Sequence, residues 1–130
     1  MKHLYPIVTT SAVRECREFY AHALGARVLF EQDWYVHVSI DGWEIGFLAP
    51  NHPVRMPVFK HASLSRGLCL ALEVEDVRKL YQEFHDKNIE IFGQLEELAG
   101  GEVVFSVMDP SGVVLNIVER TPDVRNMLEI

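Results

Sequence analysis

The chain has 130 residues, 48% of them hydrophobic and 24% charged, and a formal charge of −7. This length suits one ordinary domain that can fold without disulfides or a structural metal. The acidic balance argues against partners such as nucleic acid or an anionic membrane surface, which attract basic proteins. No stretch approaches the ~20 apolar residues of a membrane span and the N-terminus lacks a signal-peptide pattern, so we expect a cytoplasmic protein.

The first part of the chain predicts a strand, a helix and three further strands. Ser11 is placed to cap the helix and Gly25 to end it in the left-handed conformation. Asp41-Gly42 lies between two β-type runs, which is a strong hairpin signal. The predicted strands are 4–10, 27–31, 34–40 and 43–49, and the predicted helix is 12–24.

The same order of elements returns after residue 67, which indicates an internal duplication. Residues 50–67 contain three prolines and interrupt the pattern as a linker or lid, and residues 120–130 form a tail. We therefore predict one α+β domain over 1–130, with a βαβββ module in 4–49 and another in 68–119. The second module is predicted to contain strands 68–74, 89–91, 94–98, 102–108 and 113–119 and a helix over 76–87.

Strand alternation divides each sheet into a face for the helix and an opposite face. The hairpin register directs Val36, Val38, Ile40, Trp43, Ile45 and Phe47 toward the helix. A four-residue turn over 109–112 would pair Phe105 with Asn116. The opposite faces then carry aromatic and polar side chains suited to a small-molecule pocket or, alternatively, to a solvated outer face. They are Tyr5, Tyr35, His37, Glu44, Cys69, Glu73, Phe105 and Asn116.

Several individual residues have both a structural and a functional interpretation. His37 is favoured as a hydrogen-bonded sheet histidine, the alternative being a ligand contact or general base. Glu44 lies diagonally across the hairpin and could tune His37, attract a cation or be solvated. Cys16 and Cys69 are interpreted as buried structural thiols, and Trp34 and Trp43 as core residues, although Trp34 could reach a cleft rim.

Three motifs together resemble the vicinal-oxygen-chelate superfamily, which includes glyoxalase I, extradiol dioxygenases and bleomycin-resistance proteins. They are Phe19-Tyr20 before Leu24-Gly25-Ala26, the strand–helix opening 74–77, and the segment 109–119 that begins Asp-Pro-Ser-Gly. The resemblance covers residues 4–119. It implies paired βαβββ modules whose curled mixed sheet surrounds a cleft, one helix per module on the outer face, and often a homodimer.

The resemblance also implies where metal-dependent members hold their ion, namely in the first and last strand of each module. Those positions fall here on Tyr5, Gly46, Cys69 and Asn116, and Glu44 shares the face of Gly46. None of the four is the usual His, Gln or Glu, and hard divalent ions favour carboxylate and imidazole. We therefore expect no metal and no cofactor, and without a metal the Lewis-acid chemistry of such enzymes has no source.

Three functional hypotheses follow from the sequence. The first is a metal-free protein that binds an aromatic or cationic compound such as an antibiotic, through Tyr5, Tyr35, His37, Glu44, Cys69, Phe105 and Asn116, with no catalytic residue. The second is a lyase, isomerase or dioxygenase that uses displaced ligands, His37 or Glu44 with Cys69. The third is an interaction module without a small-molecule ligand.

Overall fold

The computed structural model describes residues 1–50 and 68–120. The predicted lid from residue 51 onward and the predicted tail from residue 121 lie outside the described residues. Within those two ranges, no helix is both long and apolar enough to span a membrane. The described elements are β1 Ile7–Thr9, α1 Val13–Leu24, β2 Arg27–Gln32, β3 Tyr35–Ile40, β4 Trp43–Leu48, β5 Cys69–Glu73, α2 Val77–Asp86, β6 Gly93–Glu97, β7 Val103–Met108 and β8 Val114–Glu119.

Each predicted module forms a four-stranded mixed sheet with one helix, which confirms the α+β, βαβββ prediction. The strand order is β1-β4-β3-β2 in the first sheet and β5-β8-β7-β6 in the second. In each sheet the first strand runs parallel to the last, and the remaining pairs are antiparallel. The described residues divide into two compact units, 1–50 with the turn 109–113, and 68–108 with 114–120.

Helix α1 covers one face of the first sheet with its buried residues Val13, Cys16, Tyr20 and Ala23, as the spacing predicts. Gly25 ends it in the left-handed region at φ +63°. The predicted Ser11 cap is wrong, because Ala12 holds the N-cap position and no side chain caps the helix. Thr10 instead accepts the Ala12 amide through Oγ1 at 3.0 Å.

Helix α2 begins with a side-chain cap, since Asp76 Oδ1 accepts the Lys79 amide at 3.1 Å. Its apolar face buries Val77 and Phe84 against the second sheet. Asn88 follows the helix with φ +58°, as expected for a residue that closes it. The predicted strand over 89–91 is wrong: this segment forms no strand, and β6 begins only at Gly93.

The register between β7 and β8 differs by one residue from the prediction. Asn116 pairs with Ser106, and Phe105 pairs with Ile117. The turn holds five residues, because Asp109 Oδ1 accepts the Val113 amide at 3.0 Å and keeps Val113 out of the strand. Phe105 therefore lies on the helix face, 1% exposed, with its ring centroid 5.4 Å from that of Phe84. Its predicted place on the ligand face is wrong.

The turn 109–113 is bonded to α1 through a buried pair within the first unit. Tyr20 donates its hydroxyl proton to Asp109 Oδ2 at 2.6 Å, and both residues are at most 3% exposed. Burial, together with the neighbouring Asp109 carboxylate, raises the pKa of Tyr20 far above its ordinary value. The pair thus joins helix α1 to a turn that is distant in sequence.

Candidate functional site

The hairpin of β3 and β4 determines which side chains share a face of the first sheet. Its register pairs His37 with Gly46, Ser39 with Glu44 and Val36 with Phe47, as Asp41-Gly42 predicts. The helix side buries Val36, Val38, Ile45 and Phe47, each at most 3% exposed. Trp43, predicted to be a core residue, is 79% exposed, because it lies at the tip of the hairpin beside the turn.

Three side chains on the opposite face form a hydrogen-bonded set, hereafter the Tyr–His–Glu triad of Tyr35, His37 and Glu44. Tyr35 Oη lies 2.6 Å from His37 Nδ1, and His37 Nε2 lies 2.6 Å from Glu44 Oε1. The side chain of His37 is 11% exposed and that of Glu44 is 22% exposed. His37 is therefore bonded at both ring nitrogens, as the favoured interpretation of a hydrogen-bonded sheet histidine requires.

The pKa of Tyr35 shows how its surroundings act on the phenol. Burial raises this pKa to about 12, with smaller contributions from Tyr5 and from the Glu44 carboxylate. Near neutral pH Tyr35 is consequently a neutral phenol that keeps its proton. It is neither a phenolate nucleophile nor a phenolate metal ligand under those conditions.

Aromatic rings surround the triad. Tyr5 stands edge-on to His37 with ring centroids 4.7 Å apart, and Phe30 lies 6.1 Å from Tyr35 by the same measure. Trp34 is half-buried, with its ring 6.0 Å from that of Tyr35. Tyr5 is 39% exposed and Phe30 49% exposed, so both rings present surface to solvent. This face can therefore contact a planar ring while offering polar atoms at its centre.

Phe30 is a candidate site residue that the alternation of the sequence does not reveal. Alternation would place Val28 and Phe30 on one face, but Val28 pairs with Val38 whereas Phe30 pairs with His37. The register shift between them is a β-bulge that turns Phe30 toward Tyr35. The available signal is the run Val28-Leu29-Phe30, because three consecutive apolar residues break the alternation of a half-buried strand.

Gly46 provides the space in which Tyr35 lies. A Cβ built at position 46 would collide with the Tyr35 hydroxyl and would lie 2.8 Å from Cζ of the same ring. The strand registers also show that Gly46 and Asn116 are equivalent, since Gly46 pairs with Ile7 and Asn116 pairs with Ala71. Tyr5 and Cys69 stand two residues before these partners. Gly46 therefore occupies in the first module the place that Asn116 occupies in the second.

The remaining predicted site residues belong to the second sheet. Asn116 lies between Ala71 and Ser106 on the face away from α2, and Cys69 and Glu73 share that face by alternation. Cys69 is exposed, so its interpretation as a buried thiol is wrong, whereas Cys16 is buried as expected. Glu73 lies 3.5 Å from the Arg120 guanidinium. Tyr5, Tyr35, His37 and Glu44 come together on the first sheet.

The residues at the four implied metal positions do not fit a divalent ion. They supply a phenol, a glycine without a side chain, a thiol and a neutral amide, and Tyr35 fills the space above the glycine. Both ring nitrogens of His37 are engaged in hydrogen bonds, to Tyr35 and to Glu44, so His37 offers no vacant ring nitrogen at these positions. In residues 1–50 and 68–120, no group of three or more His, Cys, Asp or Glu side chains is placed to hold a metal.

Comparison with known proteins agrees with this architecture. The family model described as Glyoxalase/Bleomycin resistance protein/Dioxygenase superfamily matches residues 2–117. The chain belongs to this superfamily. No curated protein matches the sequence.

Several solved structures resemble this chain over nearly its whole length. A lactoylglutathione lyase from Agrobacterium tumefaciens is 12% identical, with 92% of this chain and 94% of that chain covered and a TM-score of 0.71. A bleomycin-binding protein complexed with bleomycin is 17% identical, with 93% and 100% covered and a TM-score of 0.67. TioX from Micromonospora sp. ML1 is 13% identical, with 93% and 100% covered and a TM-score of 0.75. At these identities the likeness shows the glyoxalase/bleomycin-resistance fold.

Proposed function

We propose that this superfamily member is a metal-free binding protein for a small aromatic or cationic compound, such as an antibiotic. The observation that carries the proposal is the Tyr–His–Glu triad, whose three side chains are joined by two hydrogen bonds of 2.6 Å. The rings of Tyr5 and Phe30 contact its members His37 and Tyr35. An aromatic surface with a few convergent polar groups is the composition of small-molecule sites. Binding of bleomycin by one structural neighbour is consistent with this class of ligand.

The aromatic rings supply the nonpolar part of the proposed site. Tyr5 and Phe30 keep 39% and 49% of their surface exposed, so a planar ligand would remove apolar area from water on both. Each ring–ring contact contributes about 0.5–1.5 kcal/mol beyond area burial. The Glu44 carboxylate, 22% exposed, is the group that would attract a cationic substituent. Cys69 and Asn116, on the equivalent face of the second sheet, remain predicted ligand contacts.

The metal-free part of the proposal rests on Gly46 and Tyr35. A larger residue at position 46 could not coexist with the present position of the Tyr35 ring. A neutral phenol above position 46 supports the metal-free proposal, because the resemblance implies a metal ligand at that position. Elemental analysis of protein purified without chelator tests this point, and one equivalent of a divalent metal bound to the protein would contradict it.

Binding is tested by isothermal titration calorimetry with bleomycin, 1-naphthylamine and indole as probes. We expect at least one of them to bind, and Phe30→Ala to weaken that binding about tenfold because a stacking ring is lost. The matched control is Phe92→Ala, since Phe92 is also an exposed aromatic, at 61%, but belongs to the second unit. Equal losses in both variants, or no binding of any probe, would contradict the proposal.

We also propose a homodimer, as the resemblance implies. Light scattering coupled to size-exclusion chromatography measures the molar mass in solution. A mass near twice the 14.9 kDa of one chain would support the dimer. A mass near 14.9 kDa at micromolar concentration would contradict it.

A further inference from the structure

The Tyr–His–Glu triad bears on which atoms of this face of the first sheet donate hydrogen bonds and which accept them. We call this order of donors and acceptors the hydrogen-bond polarity. An ionised Glu44 carboxylate only accepts, so the proton between it and His37 resides on Nε2. In the neutral form of His37, Nδ1 then carries a lone pair that can accept the Tyr35 hydroxyl proton across the 2.6 Å contact. The single proton of Tyr35 is thereby directed at His37, and the phenol oxygen retains only acceptor capacity for anything else.

Resting on the proposed function, we infer that this site selects planar aromatic molecules that carry an N–H or O–H donor over isosteres that carry only an acceptor. The donor would bond to the Tyr35 oxygen while the ring contacts Phe30 and Tyr5. A ligand with only an acceptor would face the lone pairs of Tyr35 and leave them without a partner, which is costly where water is excluded.

Three features keep the polarity from reversing when a ligand binds. The side chain of His37 is 11% exposed, so water competes little for its ring nitrogens. Both hydrogen bonds are short, at 2.6 Å, and the one to Glu44 is charge-assisted. Gly46 leaves room for the hydroxyl at this distance from Nδ1, because a Cβ at position 46 would collide with it. For Tyr35 to donate its proton to a ligand instead, the proton of His37 would have to leave Nε2, where it faces the Glu44 carboxylate, and move to Nδ1.

The charged and titratable groups around the triad support the same polarity. Glu44 Oε2 lies 3.8 Å from His3 Nδ1, and the side chain of His3 is 68% exposed. Tyr5 contacts His37 through its ring, edge to face, and after burial it is the next contribution that raises the pKa of Tyr35. Among the described residues around His37, Glu44 is thus the acidic group that sets the tautomer.

The binding test uses indole and benzofuran, which have the same shape and differ in an N–H against an oxygen. We expect the wild-type protein to bind indole about tenfold more tightly than benzofuran, because one good hydrogen bond depends on the donor. Tyr35→Phe should remove most of this preference, by lowering the indole affinity and, because no lone pair is then left without a partner, by leaving the benzofuran affinity unchanged or raising it. Glu44→Gln should also lower the ratio of the indole affinity to the benzofuran affinity. An amide can donate a hydrogen bond to Nε2, so the proton of His37 is no longer required on that nitrogen.

The outcomes of this test separate the inference from the proposed function. Equal affinity of the wild-type protein for the two probes would overturn the inference while leaving an aromatic binding site. Binding of neither probe would overturn the inference, and it would overturn the proposed function as well only if bleomycin and 1-naphthylamine also failed to bind. A preference for indole that persists in Tyr35→Phe would also overturn the inference, because the donor would then be bonded elsewhere.

A second measurement needs no ligand. Long-range proton–nitrogen correlation spectra of His37 at pH 8 report which ring nitrogen carries the proton. We expect a protonated Nε2 and an unprotonated Nδ1, with assignment by comparison to His37→Gln. A proton on Nδ1 would overturn the inferred polarity whatever the probes show.

Discussion

The hydroxyl of Tyr35 lies over Gly46, inside the volume that a side chain at position 46 would fill. Gly46 does not have the left-handed φ that Gly25 and Gly42 have, so backbone freedom does not explain the glycine. Space does, because a Cβ at position 46 would meet the Tyr35 hydroxyl that lies 2.6 Å from His37 Nδ1. The two residues are complementary, and changing either should expose the dependence on the other.

We predict that Gly46→Ala lowers the free energy of unfolding by about 1–3 kcal/mol, because the new methyl group overpacks against Tyr35. In a Tyr35→Ala background the same change should be neutral or stabilising by about 0.5–1 kcal/mol, since alanine costs less chain entropy than glycine. Urea unfolding of the four proteins gives the coupling energy. Equal effects of Gly46→Ala in both backgrounds would show that Tyr35 does not occupy this space.

Alkaline pH should reveal the environment of Tyr35. Its pKa is about 12 in the fold against an ordinary value of 10. The unfolded chain therefore loses this proton first, so the contribution to stability is fully present below pH 10 and disappears as the pH rises toward about 12. Tyr20, with its pKa raised further in the same direction, adds to the decline.

The measurement is urea unfolding at intervals across this alkaline window, with the tyrosinate absorbance recorded in parallel. We expect Tyr35→Phe to make the decline in the free energy of unfolding shallower, and Tyr20→Phe to do so as well. If neither variant changes the slope, burial does not hold these protons on the folded protein.

The sequence predicts the parts of the fold that depend on local signals. Asp41-Gly42 specifies the β3–β4 register, and that register places Tyr35, His37 and Glu44 on one face. Two errors come from local irregularities that each insert one residue into the pattern. The side chain of Asp109 bonds to Val113 and lengthens a turn, and a bulge in β2 moves Phe30 to the site face. Alternation counts residues and does not detect an inserted one.

The hydrogen bonds of the triad could not be predicted from the sequence either. The register brings His37 and Glu44 close, but solvation is the default for a glutamate, and alternation gives no side-chain rotamers. The position of Tyr35 over Gly46 decides that His37 is bonded at both nitrogens. Such a contact depends on tertiary packing of side chains and not on the period of a strand.

The two cysteines should react with thiol reagents at very different rates. Cys16 is fully buried, and burial together with the Asp109 carboxylate raises its pKa to about 12, so it remains a protonated thiol. Cys69 is exposed. In native protein we expect a chromogenic disulfide reagent to modify one thiol rapidly, and to reach the second only after denaturation.

The matched variants identify the thiols. Cys69→Ser should abolish the rapid phase, and Cys16→Ser should leave its rate and amplitude unchanged. Rapid modification of two thiols in the native protein would mean that Cys16 is accessible, in conflict with its place beneath α1.

The hydrogen bond from Tyr20 to Asp109 should contribute more to stability than a comparable bond at the surface. Tyr20→Phe removes a donor from a carboxylate that is 3% exposed, and hydrogen bonds to charged groups contribute about 1.5–3 kcal/mol. The matched control is Tyr81→Phe, because Tyr81 donates to Gln94 Oε1 at 2.7 Å in an exposed pair, where the loss should stay near 0.5 kcal/mol. Asp109→Ala should cost more than Tyr20→Phe, since the bonds from Ser111 and Val113 are lost as well. Chemical unfolding at pH 7 gives the free energy of unfolding of all three variants. Similar losses for Tyr20→Phe and Tyr81→Phe would show that this bond does not hold the turn 109–113 on α1.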